Sequence, residues 1–210
     1  MDLIVSVKHI GLAAFAYLLG SIPWGLILAR QFGAVDVRQA GSKNIGATNV
    51  LRTAGAGLGI LTLIGDLSKG ALPVWLAAKM AGHPESLNAT YVSVVALCAF
   101  AGHLYPVFLK FKTGGKGVAT ASGCFLIISA GATGIVMMFF ILFAGISKRV
   151  SVGSLAAVAA LAPAVWWATN TGTFAACAGI MAVFIFVRHR ENIRRLISGT
   201  EPVIWGGKDK

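Results

Sequence analysis

The sequence is poor in acidic residues and in cysteines. It has seven Asp and Glu residues against 18 Lys and Arg residues. The few acids are not paired in a way that makes a Mg²⁺ site, and the aspartate cluster that CDP-alcohol phosphotransferases require is absent. The three cysteines, at positions 98, 124 and 177, lie singly within apolar stretches. Their spacing excludes a disulfide framework and a zinc site, so we expect neither a metal ion nor another cofactor.

Charged residues of either sign are also scarce. They make up 12% of the chain, against 57% hydrophobic residues and a mean hydropathy of +0.80. A water-soluble domain does not have enough polar surface to cover so much apolar material, so the composition indicates a membrane protein. The net charge of +11 then reflects the excess of basic residues in cytoplasmic loops rather than a nucleic-acid partner.

Long apolar stretches predict an all-α fold. A helix of about 20 apolar residues crosses a bilayer, and three stretches have this length: residues 10–29, 55–80 and 89–109. The stretches 117–146 and 152–187 are too long for one crossing. We expect each to form two short helices, the first pair with its turn at Gly131 and Gly134 and the second at residues 170–172. The sequence therefore predicts a polytopic bundle of seven transmembrane helices.

The basic residues predict the orientation of this bundle. With seven helices, fifteen of the 18 Lys and Arg residues fall on one side of the membrane, which the positive-inside rule assigns to the cytoplasm. Merging the first pair into one helix would place Lys148 and Arg149 on the opposite side. We therefore expect an outside N-terminus and a cytoplasmic C-terminus. No repeat or soluble segment is visible, so residues 1–210 are expected to form a single membrane-embedded domain.

Two cytoplasmic loops have the composition of phosphate-binding segments. Residues 41–49 combine glycine with hydroxyl and amide side chains beside Arg52, which suits an anion, although a flexible turn would have a similar composition. Residues 112–120 contain Gly114, Gly115 and Gly117 around Lys116 and lead into a helix, whose start attracts anions. The second loop is not a Walker A motif, because glycine stands where that motif needs a hydroxyl.

Polar residues near the remaining helix ends have two interpretations each. Ser151 or Ser154 either caps the sixth span or directs a hydroxyl at an anion. In the basic tail, residues 188–197, which we expect to continue span seven as an amphipathic turn, His189 and Asn192 are three residues apart and share a helix face. Inside span two, Asp66 and Lys69 form either a structural ion pair or a functional site.

Seven segments together match a family pattern. They resemble, in order, the motifs of the bacterial acyl-phosphate:glycerol-3-phosphate acyltransferase family, known as PlsY. The segments are Gly20-Ser21-Ile22, Gly41-Ser42-x-Asn44-Ile45-Gly46-Ala47-Thr48-Asn49, Asp66-x-x-Lys69-Gly70, Gly102-His103-x-Tyr105-Pro106-Val107-Phe108, Gly114-Gly115-Lys116-Gly117-Val118-Ala119-Thr120, Ser151-Val152-x-Ser154 and Arg188-His189-Arg190-Glu191-Asn192-Ile193. Two departures are Lys43, where the family usually has glycine, and Thr113, one extra residue before Gly114.

The resemblance implies an enzyme of the bacterial inner membrane with its active site on the cytoplasmic face. It would transfer a fatty acyl group from acyl phosphate to glycerol 3-phosphate, giving lysophosphatidic acid and phosphate. Its small-molecule partners are those two substrates, in contact with membrane lipid, and no feature indicates an oligomeric state. Catalytic roles are implied for Ser42, Lys116, Ser154 and His189, and substrate-binding roles for Asn44, Thr48, Asn49, Arg52, Gly114, Gly115, Gly117 and Asn192.

The chemistry leaves three questions open. Acyl phosphate is an activated mixed anhydride, so no acyl-enzyme is required, but the proton acceptor is either His189 or the substrate's own phosphate. An organophosphate transporter would also place cations at helix ends, although no inverted repeat is visible. A non-catalytic membrane scaffold would leave the glycine loops without a role. The other membrane acyltransferase motif, His-x-x-x-x-Asp, is absent because Val107 occupies the acid position after His103.

Overall fold

A computed structural model describes residues 3–81, 86–112 and 114–204. Within these ranges the chain is helical and contains no β-strand, which confirms the all-α class. The helices are α1 (Leu3–Gly20), α2 (Trp24–Gln31), α3 (Ala47–Ala54), α4 (Ala56–Ala81), α5 (Ser86–Leu104), α6 (Val118–Ile128), α7 (Ala130–Ser147), α8 (Val150–Thr169), α9 (Gly172–Arg188) and α10 (Arg190–Ile197), with a 3-10 turn at Val107–Leu109.

Several helices are long and apolar enough to cross a membrane. In the described ranges four qualify singly, and six crossings result if each of two bent pairs counts as one. The bent pairs are α1 with α2, at 46°, and α9 with α10, at 56°. Helix α6 has 11 residues, fewer than the about 20 of a typical crossing helix. The chain is therefore a multi-pass membrane protein, and the count of seven spans stays a prediction.

Two of the predicted boundaries are confirmed. Helix α4 covers the predicted span 55–80 within one residue at each end. The break between α8 and α9 falls at Asn170 and Thr171, as predicted. Asn170 adopts a left-handed backbone with φ 47°, and its N–H donates to the carbonyl oxygen of Trp166 at 2.8 Å. Asparagine tolerates this conformation better than most residues, so it ends the helix here.

Other boundaries differ from the prediction. The break in residues 117–146 lies at Ser129 rather than at Gly131 and Gly134, because the Ser129 hydroxyl accepts the N–H of Ala132 at 3.2 Å and caps α7. The third predicted span, 89–109, is by contrast confirmed by an apolar helical segment at Asn88–Leu109. Within it α5 ends at Leu104 and a 3-10 turn follows Pro106, because proline disfavours helical backbone in the residue before it. The basic tail forms the separate helix α10 rather than a continuation of α9.

The chain divides into two compact units, Met1–Ile128 and Ser129–Lys210. In the first unit α4 packs against α1, α2, α3, α5 and α6. Small residues allow this: a methyl group on Gly70 of α4 would overlap the carbonyl oxygen of Thr120 on α6, and close backbone approach is how membrane helices gain contacts. In the second unit α8 packs against α7 and α9, and α10 against α9. The expected single domain stays a prediction.

Candidate functional site

The first predicted loop is held in shape by Asn49, which is buried on α3. Its amide nitrogen lies 2.8, 3.2 and 2.8 Å from the carbonyl oxygens of Val37, Ala40 and Asn44, to which it donates. Its side-chain oxygen accepts the backbone N–H of Ser42 at 2.8 Å. The Asn49 amide is thus occupied by the loop backbone, which indicates that this residue shapes the loop.

The loop is shorter than predicted because its last residues belong to α3. Ala47, Thr48 and Asn49 form the first turn of that helix, and Thr48 is half-buried there. Before it, the Asn44 side-chain oxygen accepts the N–H of Gly46 at 2.9 Å. This is the turn that asparagine commonly forms with the backbone two residues on. Asn44 and Asn49 therefore both fix the path of the chain into α3.

Exposed side chains surround this ordered backbone. Ser42, Lys43 and Arg52 are all exposed. Lys43 has a left-handed φ of 57°, a conformation that favours glycine, the residue that the resemblance leads us to expect there. Hydrogen bonds from Arg38 lower the pKa of Asp36 to about 2, so these two charges neutralise each other. Arg52 forms no ion pair with any residue in the described part of the chain, which suits an anion-binding role.

The glycine loop connects the end of α5 to the start of α6. The N–H of Gly115 donates to the carbonyl oxygen of His103 at 3.1 Å, and a methyl group on Gly114 would overlap the carbonyl oxygen of Leu104. Gly117 has a φ of 89°, a conformation that favours glycine. These constraints fix half-buried Lys116 two residues before α6 begins. The loop is shorter than the predicted 112–120 because Val118, Ala119 and Thr120 already form the first turn of α6, and Thr113 lies outside the described residues.

The predicted serines lie inside α8 rather than at its cap. Arg149 occupies the N-cap position and makes no side-chain cap hydrogen bond, so the interpretation of Ser151 or Ser154 as an N-cap is wrong. Both serines are buried in the first turns of the helix. Being three residues apart, they share one helix face. The alternative, a hydroxyl directed at an anion, stays a prediction.

His189 lies at the bend between α9 and α10 and is buried. Its Nδ1 is 2.8 Å from the carbonyl oxygen of Ile185. Because a carbonyl oxygen only accepts, Nδ1 must carry the hydrogen, and the basic nitrogen of the neutral imidazole is therefore Nε2. The bend thus fixes both the position and the tautomer of this ring.

Asn192 is held by a carboxylate that the sequence prediction missed. Its amide nitrogen donates to Oε1 of buried Glu201 at 2.6 Å, and Oε2 accepts from Nε of Arg195 at 2.7 Å. Burial raises the pKa of Glu201, but hydrogen bonding from Asn192 and Arg195 outweighs it, so the pKa lies below its ordinary value. The only signal in the sequence was an acid nine residues after Asn192.

The comparisons with known proteins place these residues in a family. The family model described as glycerol-3-phosphate acyltransferase matches residues 10–199. The chain belongs to this family. A glycerol-3-phosphate acyltransferase of Syntrophotalea carbinolica is 47% identical over 186 residues, 89% of this chain and 92% of the relative. One of Geobacter sulfurreducens is 47% identical over 190 residues, 90% of this chain and 94% of the relative.

Two solved structures of a glycerol-3-phosphate acyltransferase have the same fold. Both are crystal structures of PlsY (YgiH), an integral membrane enzyme, at 35% sequence identity. The glycerol 3-phosphate form superposes with a TM-score of 0.87 over 95% of this chain and 96% of the other. The lysophosphatidic acid form gives a TM-score of 0.82 over 93% and 95%. The family resemblance expected from the sequence is therefore confirmed.

Glu201 lies just beyond the part of the chain that the glycerol-3-phosphate acyltransferase family model matches, which ends at residue 199. The backbone of Glu201 forms a further hydrogen bond: its carbonyl oxygen accepts from Nε of Arg149 at 3.1 Å. The segment after α10 thereby joins the start of α8 to Asn192. No group of three His, Cys, Asp or Glu side chains suited to a metal ion occurs among the described residues.

Proposed function

We propose that this chain transfers a fatty acyl group from acyl phosphate to the 1-hydroxyl of glycerol 3-phosphate, giving lysophosphatidic acid and inorganic phosphate. The observation that carries the proposal is the similarity, at a TM-score of 0.87 over 95% of the chain, to an acyltransferase structure in its glycerol 3-phosphate form. The shape-determining residues Asn49, Gly115 and Gly117 all lie in the segments that carry the family resemblance.

The reaction needs stabilisation of charge more than a nucleophilic side chain. The 1-hydroxyl oxygen of glycerol 3-phosphate attacks the carbonyl carbon of acyl phosphate. The bond between that carbon and the bridging phosphate oxygen then breaks, and inorganic phosphate leaves with the electron pair. Negative charge develops on the carbonyl oxygen and on the leaving phosphate. We assign its stabilisation to Lys116 and Arg52 with the hydroxyls of Ser42 and Ser154. Cys124 and Cys177 are buried in apolar helices and serve as packing residues.

His189 and Asn192 are proposed to contact glycerol 3-phosphate. Nε2 of His189 is the nitrogen able to accept a hydrogen bond from the attacking hydroxyl, because Nδ1 is directed to Ile185. Asn192 has its amide nitrogen on Glu201, which fixes the orientation of its side chain. The proton released in the attack goes either to Nε2 of His189 or to a phosphate oxygen of the substrate.

The membrane arrangement is part of the proposal. We propose seven spans in the bacterial inner membrane, with the N-terminus outside and the C-terminus and catalytic residues on the cytoplasmic side. The support is the distribution of charge, with fifteen of the 18 basic residues in alternate gaps between apolar stretches. Helix α6, with 11 residues, would then be a short span, and each bent pair would have one membrane-crossing member.

The proposed activity is tested with purified protein in detergent or lipid mesophase. Phosphate release is measured with acyl phosphate alone, glycerol 3-phosphate alone, and both together. We expect release only with both substrates. Release from acyl phosphate alone would indicate a hydrolase, and uptake of glycerol 3-phosphate into vesicles without product would favour a transporter. Either result would overturn the proposal.

A further inference from the structure

A cluster of buried ionisable side chains lies behind the glycine loop. Oδ1 of Asp66 is 2.8 Å from Nζ of Lys69, one turn along α4, and both side chains are almost completely buried. The two side chains therefore form an ion pair, as the sequence analysis considered, and its role stays a prediction. Nζ of Lys69 also donates to the carbonyl oxygen of Ile22 at 3.1 Å, in the break between α1 and α2. The same oxygen accepts the backbone N–H of Trp24 at 3.1 Å, so Lys69 adds a second hydrogen bond at this bend.

A third member of the cluster connects it to the loop. Nδ1 of His103, in the last turn of α5, is 3.6 Å from Oδ1 of Asp66, and its side chain is also buried. The opposite edge of the imidazole, with Nε2, faces Gly115 so closely that a methyl group there would overlap the ring. The backbone N–H of Gly115 bonds to the carbonyl oxygen of the same histidine. His103 therefore holds Gly115 through both its ring and its backbone.

We infer that His103, oriented by Asp66, is a positioning residue that sets the place of Lys116 by fixing Gly115. This inference rests on the proposed function, in which Lys116 stabilises the departing phosphate. Lys116 follows Gly115 directly, so a shift of Gly115 displaces the charge of Lys116 relative to the reacting atoms. A displacement of about 1 Å in a catalytic group costs about 10²-fold in rate. The ion pair of Asp66 with Lys69 already neutralises both buried charges. It does not account for the close contact between the His103 ring and Gly115.

The contact between ring and glycine can be tested by exchanging their sizes. Gly115 does not have a positive φ, so alanine is compatible with its backbone, and the three atoms nearest to the added methyl group all belong to the His103 ring. Gly115→Ala should push the loop away and lower kcat/KM by about 10–10²-fold. His103→Ala should lower it by a similar factor through loss of support. In the double variant the methyl group enters the space that the ring has left.

We therefore expect the double variant His103→Ala/Gly115→Ala to be at least about 5-fold more active than Gly115→Ala alone, since contacting residues deviate from additivity. Should His103→Ala not fold, His103→Asn in the same pair keeps an N–H group near Asp66 while removing the ring atoms that face Gly115. Asp66→Asn should reduce kcat/KM by a smaller factor. The matched control is Thr62→Val, which removes a buried hydrogen bond to the carbonyl oxygen of Leu58 on α4 and should lower only the melting temperature.

The outcomes separate the inference from the proposed function. Losses in the double variant that equal the product of the single losses, or a His103→Ala enzyme with reduced melting temperature and wild-type kcat/KM, would overturn the positioning role while the acyltransferase assignment stands. Absence of lysophosphatidic acid with the wild-type protein would overturn both. Rescue of Gly115→Ala by the smaller residue at position 103 is the result that supports the inference, because a purely structural role does not produce it.

Discussion

Replacing Glu201 by alanine should both destabilise the protein and weaken glycerol 3-phosphate binding. The carboxylate is buried and accepts hydrogen bonds from Asn192 at 2.6 Å and Arg195 at 2.7 Å. Alanine removes both carboxylate oxygens, so the buried amide nitrogen of Asn192 loses its hydrogen bond to position 201. Asn192 would then lose its fixed orientation, which is the feature that our account uses for substrate binding.

The size of the effect follows from the two hydrogen bonds. A hydrogen bond to a charged group contributes about 1.5–3 kcal/mol, which we assign to Asn192. The Arg195 side chain is 33% exposed, so solvent reduces its share to about 1 kcal/mol or less. Glu201→Ala should therefore lower the free energy of unfolding by about 1.5–4 kcal/mol. Glu201→Gln retains one acceptor oxygen and should cost about half as much.

The assay is thermal unfolding in detergent together with steady-state kinetics for both substrates. We expect a lower melting temperature and a higher KM for glycerol 3-phosphate in Glu201→Ala. The matched control is Glu191→Ala, which removes the same charge from an exposed position on α10, where it pairs with Arg190 and Arg194, and should change neither quantity appreciably. Wild-type stability and KM in Glu201→Ala would refute the reasoning.

The same carboxylate makes stability depend on pH in a defined direction. Folding lowers the pKa of Glu201 from its ordinary value of 4.5, so the folded protein binds the proton less readily than the unfolded chain. Its stabilisation is complete above that ordinary value and is lost as pH falls through the lower folded pKa. The stability difference between wild type and Glu201→Gln should therefore be constant above about pH 5.5 and shrink below about pH 4.5. A difference that grew on acidification would contradict this sign.

Four further predictions address the site and the membrane arrangement. Lys116→Ala should abolish turnover while the protein still inserts and purifies, because it removes a charge that stabilises the leaving phosphate. The control is Lys112→Ala, at an exposed lysine. An active Lys116→Ala enzyme would contradict the assignment. A cysteine at Ser147 should be labelled only from the cytoplasm and one at Asn170 only from outside, so labelling of both from one side would exclude the topology. EDTA should leave the initial rate unchanged, and loss of rate with recovery on adding Mg²⁺ would show that a metal site was missed. His189→Ala and Asn192→Ala should chiefly raise KM for glycerol 3-phosphate, whereas a pure fall in kcat of about 10²–10⁴-fold for His189→Ala would identify it as the general base.

The apolar helices are well predicted from the sequence, because a helix inside a membrane needs a long run of apolar residues that is visible without any helical periodicity. Helix α4 agrees with its predicted span within one residue at each end, and Asn170 marks the break after α8. Breaks set by a single side chain are harder to predict. Ser129, which has an extended backbone, caps the start of α7 and so sets the break. The more conspicuous Gly131 and Gly134 lie inside that helix.

For the site, the sequence indicates which residue types belong to it but not what holds them. Lys116 and its glycines are recognisable from composition. The supports, Glu201 for Asn192 and His103 for Gly115, come from contacts between residues 9 and 12 positions apart that no local pattern encodes. Asn49 shows the converse, since it was predicted to bind substrate and the structure shows its amide engaged by the loop backbone. Such distinctions depend on where side chains point.

The most direct test of the account is the identity of the product and of its acyl donor. Purified wild-type protein is incubated with labelled glycerol 3-phosphate and either acyl phosphate or acyl-CoA, and lipid products and inorganic phosphate are quantified. We expect lysophosphatidic acid from acyl phosphate, with one phosphate released for each molecule formed. Product formed only from acyl-CoA, or no acylated product with acyl phosphate, would contradict the central claim.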